Sequence, residues 1–200
     1  LTAYQAINRK PNLATAKTAL VHAGAGGVGS MALQFAKLRG LKVFTTVSTR
    51  KVDFVRQLHP DAIIDYQKED VTDRIMKLTA NQGVDLIVDT VGKAEATADL
   101  HRLAYNGTLV TIVEFPTVDP DLMFNRGLTV ATVNLGGAHL SKNPVQQHDL
   151  GQMNKEVLQL VSQGKIKSPI EKVLSFDQLV QGLQMIKDHQ VMGKLVVKVD

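Results

Sequence analysis

The sequence predicts an α/β fold: a doubly wound, six-stranded parallel sheet with helices on both faces, followed by a C-terminal helix-strand extension. Two observations predict it. Short apolar runs alternate with helical patterns for most of the length, as repeated strand–helix–strand units require. Runs such as Leu86-Ile87-Val88 and Leu109-Val110-Thr111-Ile112-Val113 are nearly continuous in apolar residues, as strands covered on both sides should be.

The elements follow in order. A short helix near 2–9 precedes a first strand near 18–23. The next helix, near 28–39, carries Val28, Ala32, Phe35 and Ala36 on one face and stops at Gly40, where a C-cap glycine is expected. Strands near 42–47, 62–65, 84–89, 107–113 and 128–134 alternate with helices near 50–58, 70–79 and 94–104. The stretches 114–127 and 135–148 both contain Pro and read as long loops. The last quarter departs from the repeat. It runs helix near 149–163, extended segment 170–174, helix near 176–188, then a final strand within 193–199 whose partner is not evident. Residues 1–148 therefore read as one nucleotide-binding domain with a linker helix, and 149–200 as a C-terminal segment.

Composition excludes several function classes. The 200 residues contain no cysteine, which removes disulfides, thiolate catalysis and cysteine-ligated zinc from this chain. The net charge of +4 is spread without a basic run, and aromatics make up only 4%, so a nucleic-acid surface is not expected. No apolar run is long enough to span a bilayer, and the expected setting is cytoplasmic.

The chemistry sits where the first strand ends. Leu20-Val21-His22-Ala23 runs into Gly24-Ala25-Gly26-Gly27-Val28-Gly29, a Gly-x-Gly-x-x-Gly loop opening a helix. In a Rossmann unit Gly24 permits the tight turn, Gly26 lets backbone approach a pyrophosphate, and Gly29 lets the helix pack on the strand. The helix start adds free N–H groups and a positive dipole end. An NAD site usually has Asp or Glu at the end of the second strand to accept from the ribose 2′-OH. This chain has Ser48-Thr49-Arg50-Lys51 there and no carboxylate before Asp53. Two hydroxyls and two cations suit a 2′-phosphate, which favours NADP(H) over NAD(H).

Leu1-Thr2-Ala3-Tyr4, the loop 23–29, Thr46-Val47-Ser48-Thr49, Ile64-Asp65-Tyr66 with Glu69-Asp70, Asp89-Thr90-Val91-Gly92 and Gly193-Lys194-Leu195-Val196-Val197 recur in this order in one family. The chain resembles the medium-chain dehydrogenases/reductases, in their quinone oxidoreductase-like and zinc-type alcohol dehydrogenase-like branch. The resemblance implies that Gly26, Gly27 and Val28 meet the pyrophosphate and that Ser48, Arg50 and Lys51 meet the 2′-phosphate, with Tyr66 near the adenosine. It implies that Thr90, Val91, Gly92, Ile112 and Val113 line the path to the nicotinamide ribose, and that backbone at 133–135 approaches the nicotinamide. It further implies a homodimer through the 128–134 edge strand, and an N-terminal GroES-like domain outside this chain that completes the substrate cleft. The chain departs from the family pattern at His59-Pro60, at Lys93, and at Val113-Glu114, where many members have Gly.

The implied reaction is hydride transfer from NADPH to a quinone, enone or carbonyl compound. A non-catalytic NAD(P)-binding module and a fragment of a zinc-dependent alcohol dehydrogenase are the alternatives. No catalytic residue is assigned. The six histidines lack metal-ligand spacing, and no metal is expected from them. His22 reads as a packed, hydrogen-bonded histidine, and Asp89 as a carboxylate that holds the turn after its strand.

Overall fold

A computed structural model describes residues 1–199. The strands are β1 (Thr18–Val21), β2 (Lys42–Val47), β3 (Ala62–Asp65), β4 (Val84–Asp89), β5 (Leu103–Thr111) and β6 (Thr129–Thr132). They form one sheet in the order β3-β2-β1-β4-β5-β6, every pair parallel. The direction of winding reverses between β1 and β4, which opens a crevice beyond their carboxyl ends.

The helices are α1 (Thr2–Asn8), α2 (Gly29–Leu38), α3 (Val52–Arg56), α4 (Val71–Leu78), α5 (Lys93–Arg102), α6 (Pro120–Arg126), α7 (Leu135–Leu140), α8 (Pro144–Ser162) and α9 (Leu179–Lys187). Alternation along each strand divides the core between two faces. Ala19, Val21, Leu86 and Val88 pack with Ile7 of α1, Leu33 of α2, Val55 of α3 and Met153 of α8. Leu20 and Ile87, one residue out of step, pack with Ile75 of α4 and Leu100 of α5. Covering both faces explains why these strands read as unbroken apolar runs.

The final strand finds its partner within the chain. β7 (Ile170–Leu174) and β8 (Lys194–Val197) pair parallel as a separate two-stranded sheet. Gly193 crosses to the glycine loop, where its N–H donates to the Ala25 carbonyl at 2.7 Å.

The two stretches expected to be long loops carry helices. Asp119 accepts from the N–H groups of Asp121 and Leu122, with Pro120 at the first helical position, and this cap starts α6. Asn134 caps α7 through the Gly137 N–H. Asn143-Pro144 repeats the α6 device and starts α8 at residue 144, ahead of the expected 149. The expected helix near 50–58 is a 3-10 turn, Thr49–Lys51, running into the short α3. β5 begins at Leu103, directly after α5, where Leu103 pairs with Val84, and its register against β4 then shifts between Val84 and Leu86. Among the described residues no helix is long and apolar enough to cross a membrane.

Candidate dinucleotide site

The glycine loop is built by exclusion of side chains. A Cβ on Gly29 would lie 2.7 Å from the Ala23 carbonyl carbon and 2.9 Å from the His22 oxygen, with the Ala23 oxygen nearer still. A Cβ on Gly24 would overlap the Thr45 hydroxyl, which donates to the Val21 carbonyl at 2.7 Å. Gly26 closes the turn by donating its N–H to the Ala23 carbonyl at 2.8 Å. Ala25 is buried beneath the loop, while Val28 is half-buried ahead of α2. A Cβ on Gly27 would meet Lys194 Cδ at 2.6 Å and Nζ at 2.7 Å. The ammonium of Lys194 therefore lies over the loop where the sequence places a pyrophosphate.

Beside the loop is a hollow of 540 Å³ lined by Ala23, Ala25, Gly26, Val47, Ser48, Arg50, Lys51, Tyr66, Gln67 and His189. Arg50 donates to the His189 carbonyl at 2.8 Å and Lys51 to the Val191 carbonyl at 2.9 Å. Guanidinium has five N–H donors and ammonium three, so each cation keeps donors for an anion. Burial, then the neighbouring Arg50 charge, lowers the Lys51 pKa from its usual value; Glu171 opposes this. A site that destabilises its own cations in this way favours an anionic ligand. Ser48 makes no side-chain cap bond to the turn it precedes, which leaves its hydroxyl to the hollow. Thr49 is turned away: its hydroxyl donates to Asp65 Oδ2 at 2.5 Å, and its N–H donates to Gln67 at 3.1 Å. Tyr66 is half exposed on the rim.

Two further hollows continue along the carboxyl edge. One of 640 Å³ is lined by Tyr66, Thr90 and Val91, with His22, Glu95 and Arg102 among its polar walls. The other, of 390 Å³, is lined by Ile112, Val113, Glu114, Val133 and Asn134. The turn between them is fixed by Asp89, whose carboxylate accepts from the Val91 N–H at 3.3 Å and the Gly92 N–H at 3.2 Å. Gly92 has φ 146°, a conformation for which glycine is suited. Thr90 donates its hydroxyl to the His22 carbonyl at 3.2 Å. Glu114 accepts from the Lys93 N–H at 2.8 Å and so caps α5.

His22 is buried, with Nδ1 3.0 Å from the Thr46 hydroxyl and Nε2 3.0 Å from Asp99 Oδ1. Burial alone would lower its pKa, but Asp99, Glu95 and Asp89 outweigh burial and raise it. His22, Asp89 and Asp99 have one ligand-type atom each within 4.8 Å of the others. They do not fit zinc. Both ring nitrogens are already partnered, and the Arg102 guanidinium donates to Asp99 at 2.8 Å.

The structure thus brings Gly24 through Gly29, Ser48, Arg50, Lys51 and Tyr66 together, sets Thr90 to Gly92 beside them, and places Ile112 and Val113 on the next hollow. Lys194 and the turn at 189–193 were not found from the sequence. The Gly193-Lys194 pair was visible there, but nothing local indicated that it folds back onto residue 25.

Comparisons with known proteins agree with this fold. A family model described as zinc-binding dehydrogenase matches residues 58–197. The trans-enoyl reductase pgmF of Aspergillus terreus is 30% identical across 100% of this chain and 56% of its own length. A quinone oxidoreductase-like protein 2 homolog of Nematostella vectensis is 27% identical across 98% of this chain and 54% of its own. Among solved structures, CurK enoyl reductase superposes with a TM-score of 0.84 at 26% identity, covering 100% of this chain and 59% of that one. The chain spans about half the length of the curated relatives it matches.

Proposed function

The chain belongs to the zinc-binding dehydrogenase family, in the quinone oxidoreductase-like branch of the medium-chain dehydrogenases/reductases, and we propose that it is the nucleotide-binding half of an NADPH-dependent reductase. One observation carries the proposal: the glycine loop and the Arg50–Lys51 pair line the same 540 Å³ hollow, whose wall has no carboxylate among the described residues. An NAD site would place a carboxylate there to accept from the ribose. Asp53, the first carboxylate after β2, pairs with Arg56, and Asp65 at the end of β3 accepts from Thr49 and Gln67.

The residues divide the work. The loop backbone at Gly26, Gly27 and Val28, with the amino end of α2, receives the pyrophosphate. Lys194 neutralises it from above. Ser48, Arg50 and Lys51 hold the 2′-phosphate. Tyr66 walls the adenosine, and Thr90, Val91, Gly92, Ile112 and Val113 line the way to the nicotinamide ribose. Bound there, NADPH supplies hydride to a polarised double bond of an enone, a quinone or a carbonyl compound. The remaining wall of the cleft belongs to a GroES-like domain. In this reading residues 1–148 are the dinucleotide domain, and 149–200 carry the face that meets the other domain. Val173, Phe176, Val180 and Leu183 are exposed on that face. β6 lies at an open sheet edge and is the seam of a homodimer. The setting is cytoplasmic.

Calorimetric titration with NADPH and, separately, NADH tests the reading. NADPH is expected to bind more tightly. Replacing both Arg50 and Lys51 by Ala removes two charge-assisted contacts of about 1 kcal/mol each after solvent screening, so NADPH affinity should fall by about 30-fold. NADH should change by less than about threefold, since it lacks the group those residues meet. Equal losses for both would remove the 2′-phosphate assignment. Binding of neither would favour a non-catalytic module.

A further inference from the structure

Beneath the crevice lies a buried network that the proposed binding roles do not use. Asp99 and Arg102, on α5, are 0% and 5% exposed. Arg102 donates to Asp99 Oδ1 at 2.8 Å, to Glu95, and through Nε to Thr72 at 2.9 Å. Asp99 Oδ1 also meets His22, while Asp99 Oδ2 is buried without a hydrogen-bond partner among the described residues. Asp89, fully buried on β4, has a carboxylate oxygen within 4.8 Å of one from Asp99. Two buried carboxylates this close resist carrying charge together, and an unpartnered buried oxygen adds to the cost.

The network touches the ends of β1, β2 and β4. His22 follows β1, and its carbonyl accepts from Thr90. Thr46, on β2, accepts the Ala23 N–H at 3.2 Å at the root of the glycine loop. Asp89 holds the Val91 and Gly92 N–H groups, so the 90–92 turn is tied down by an ionised carboxylate. A proton on Asp89 removes one of the paired charges and converts one oxygen from acceptor to donor. The turn then loses part of its anchor.

We infer that Asp89 is a positioning residue whose protonation, coupled to Asp99 and His22, releases the 90–92 turn and so makes the dinucleotide crevice proton-sensitive. Burial pushes the Asp89 carboxyl up to about 6; His22 opposes the rise and Asp99 reinforces it. The charged and titratable groups facing the network and its turn are His22 after β1, Glu95, Asp99 and Arg102 from α5, Glu114 after β5 and against Gly92, and Tyr66, Glu69, Asp70 and His189 across the 640 Å³ hollow. Thr46 and Thr72 add uncharged partners from β2 and α4.

The structural half of the inference is independent of the function proposed above, and the effect on affinity rests on that reading. The test therefore has two arms. In the free chain, the Asp89 carboxyl carbon and the Val91 and Gly92 amides are followed by NMR from pH 4.5 to 8. They are expected to share one midpoint near 6. His22→Gln removes the cation that favours the Asp89 carboxylate, and should move that shared midpoint upward. Asp89→Asn should abolish the amide titration. Amides that follow only the His22 ring, or that do not titrate in this range, overturn the inference. So does a midpoint that His22→Gln leaves in place; if that variant does not fold, the wild-type and Asp89→Asn titrations decide.

In the second arm, ADP-ribose, which has no phosphate titrating between pH 5 and 8, is titrated calorimetrically. Affinity should fall about tenfold between pH 7 and pH 5, as linkage to one proton requires, and should be flat in Asp89→Asn. A pH-independent affinity in the wild-type chain overturns the coupling. Loss of ADP-ribose binding at every pH overturns the binding role instead, leaving the NMR arm to decide the rest.

Discussion

Replacing Gly29 by Ala should destabilise the chain, whereas the same replacement at Gly151 should stabilise it. Both glycines lie in helices, α2 and α8. A Cβ at Gly29 would lie 2.7 Å from the Ala23 carbonyl carbon, where ordinary contact begins at 3.4 Å. The obstruction is peptide backbone inside a tight turn, so no rotamer change relieves it. Loop or helix must move by about 1 Å, which places the cost near the top of the ~1–3 kcal/mol range for overpacking. Alanine's helix propensity returns up to ~1 kcal/mol. The net loss is about 2 kcal/mol, equivalent to a melting temperature about 4–8 °C lower for a chain of this size. At Gly151 an added Cβ meets nothing within 4 Å, so only the propensity gain of about 0.5–1 kcal/mol remains. Thermal unfolding followed by circular dichroism, with both variants beside the wild type, measures the difference directly. A Gly29→Ala chain as stable as Gly151→Ala would refute the idea that Gly29 is required by close packing of α2 on the turn.

Other consequences can be measured on the same footing. Asp85 accepts from the Lys17 N–H, the Thr18 N–H and the Thr18 hydroxyl at 2.8–2.9 Å, so Asp85→Ala should cost about 2–3 kcal/mol in denaturant unfolding. Gly193 has φ 82°, and a Cβ there would lie 3.0 Å from the Pro169 carbonyl carbon with its oxygen closer. Gly193→Ala should therefore speed amide exchange across β7 and β8 and at the 189–193 turn. Burial works against the Asp61 carboxylate, but the Val43 N–H at 2.7 Å and the Lys37 ammonium at 3.0 Å outweigh it and hold its pKa below the usual 3.8. Its contribution is fully present above pH 3.8 and is lost as the pH falls through the depressed folded value. Asp61→Asn should accordingly flatten the acid limb of the stability curve.

Local information carried much of the architecture. The expected bounds of β2, β3 and β4 match the observed strands, because each is a short apolar run between turn residues and is covered on both faces. The glycine loop was legible because its requirement is steric and lies within consecutive residues. The Asp119-Pro120 and Asn143-Pro144 caps were also present in the sequence, but proline in a long connection reads as a loop unless the acceptor before it is counted as an N-cap.

What the sequence determined by itself was the sheet, its two-sided burial and the place where an anion could meet backbone. These depend on periodicity and on single positions that admit no side chain. What only the tertiary structure decided was how distant groups meet there. Gly193 donates to Ala25, Lys194 lies over Gly27, and Arg50 and Lys51 reach the carbonyls of 189 and 191. On α5, Asp99 and Arg102 are buried and Glu95 is half-buried around His22, a grouping that their spacing along one helix does not reveal. The physical reason is the same in each case. Local sterics and propensity act between near neighbours in the chain, whereas a charge takes its meaning from what surrounds it in space.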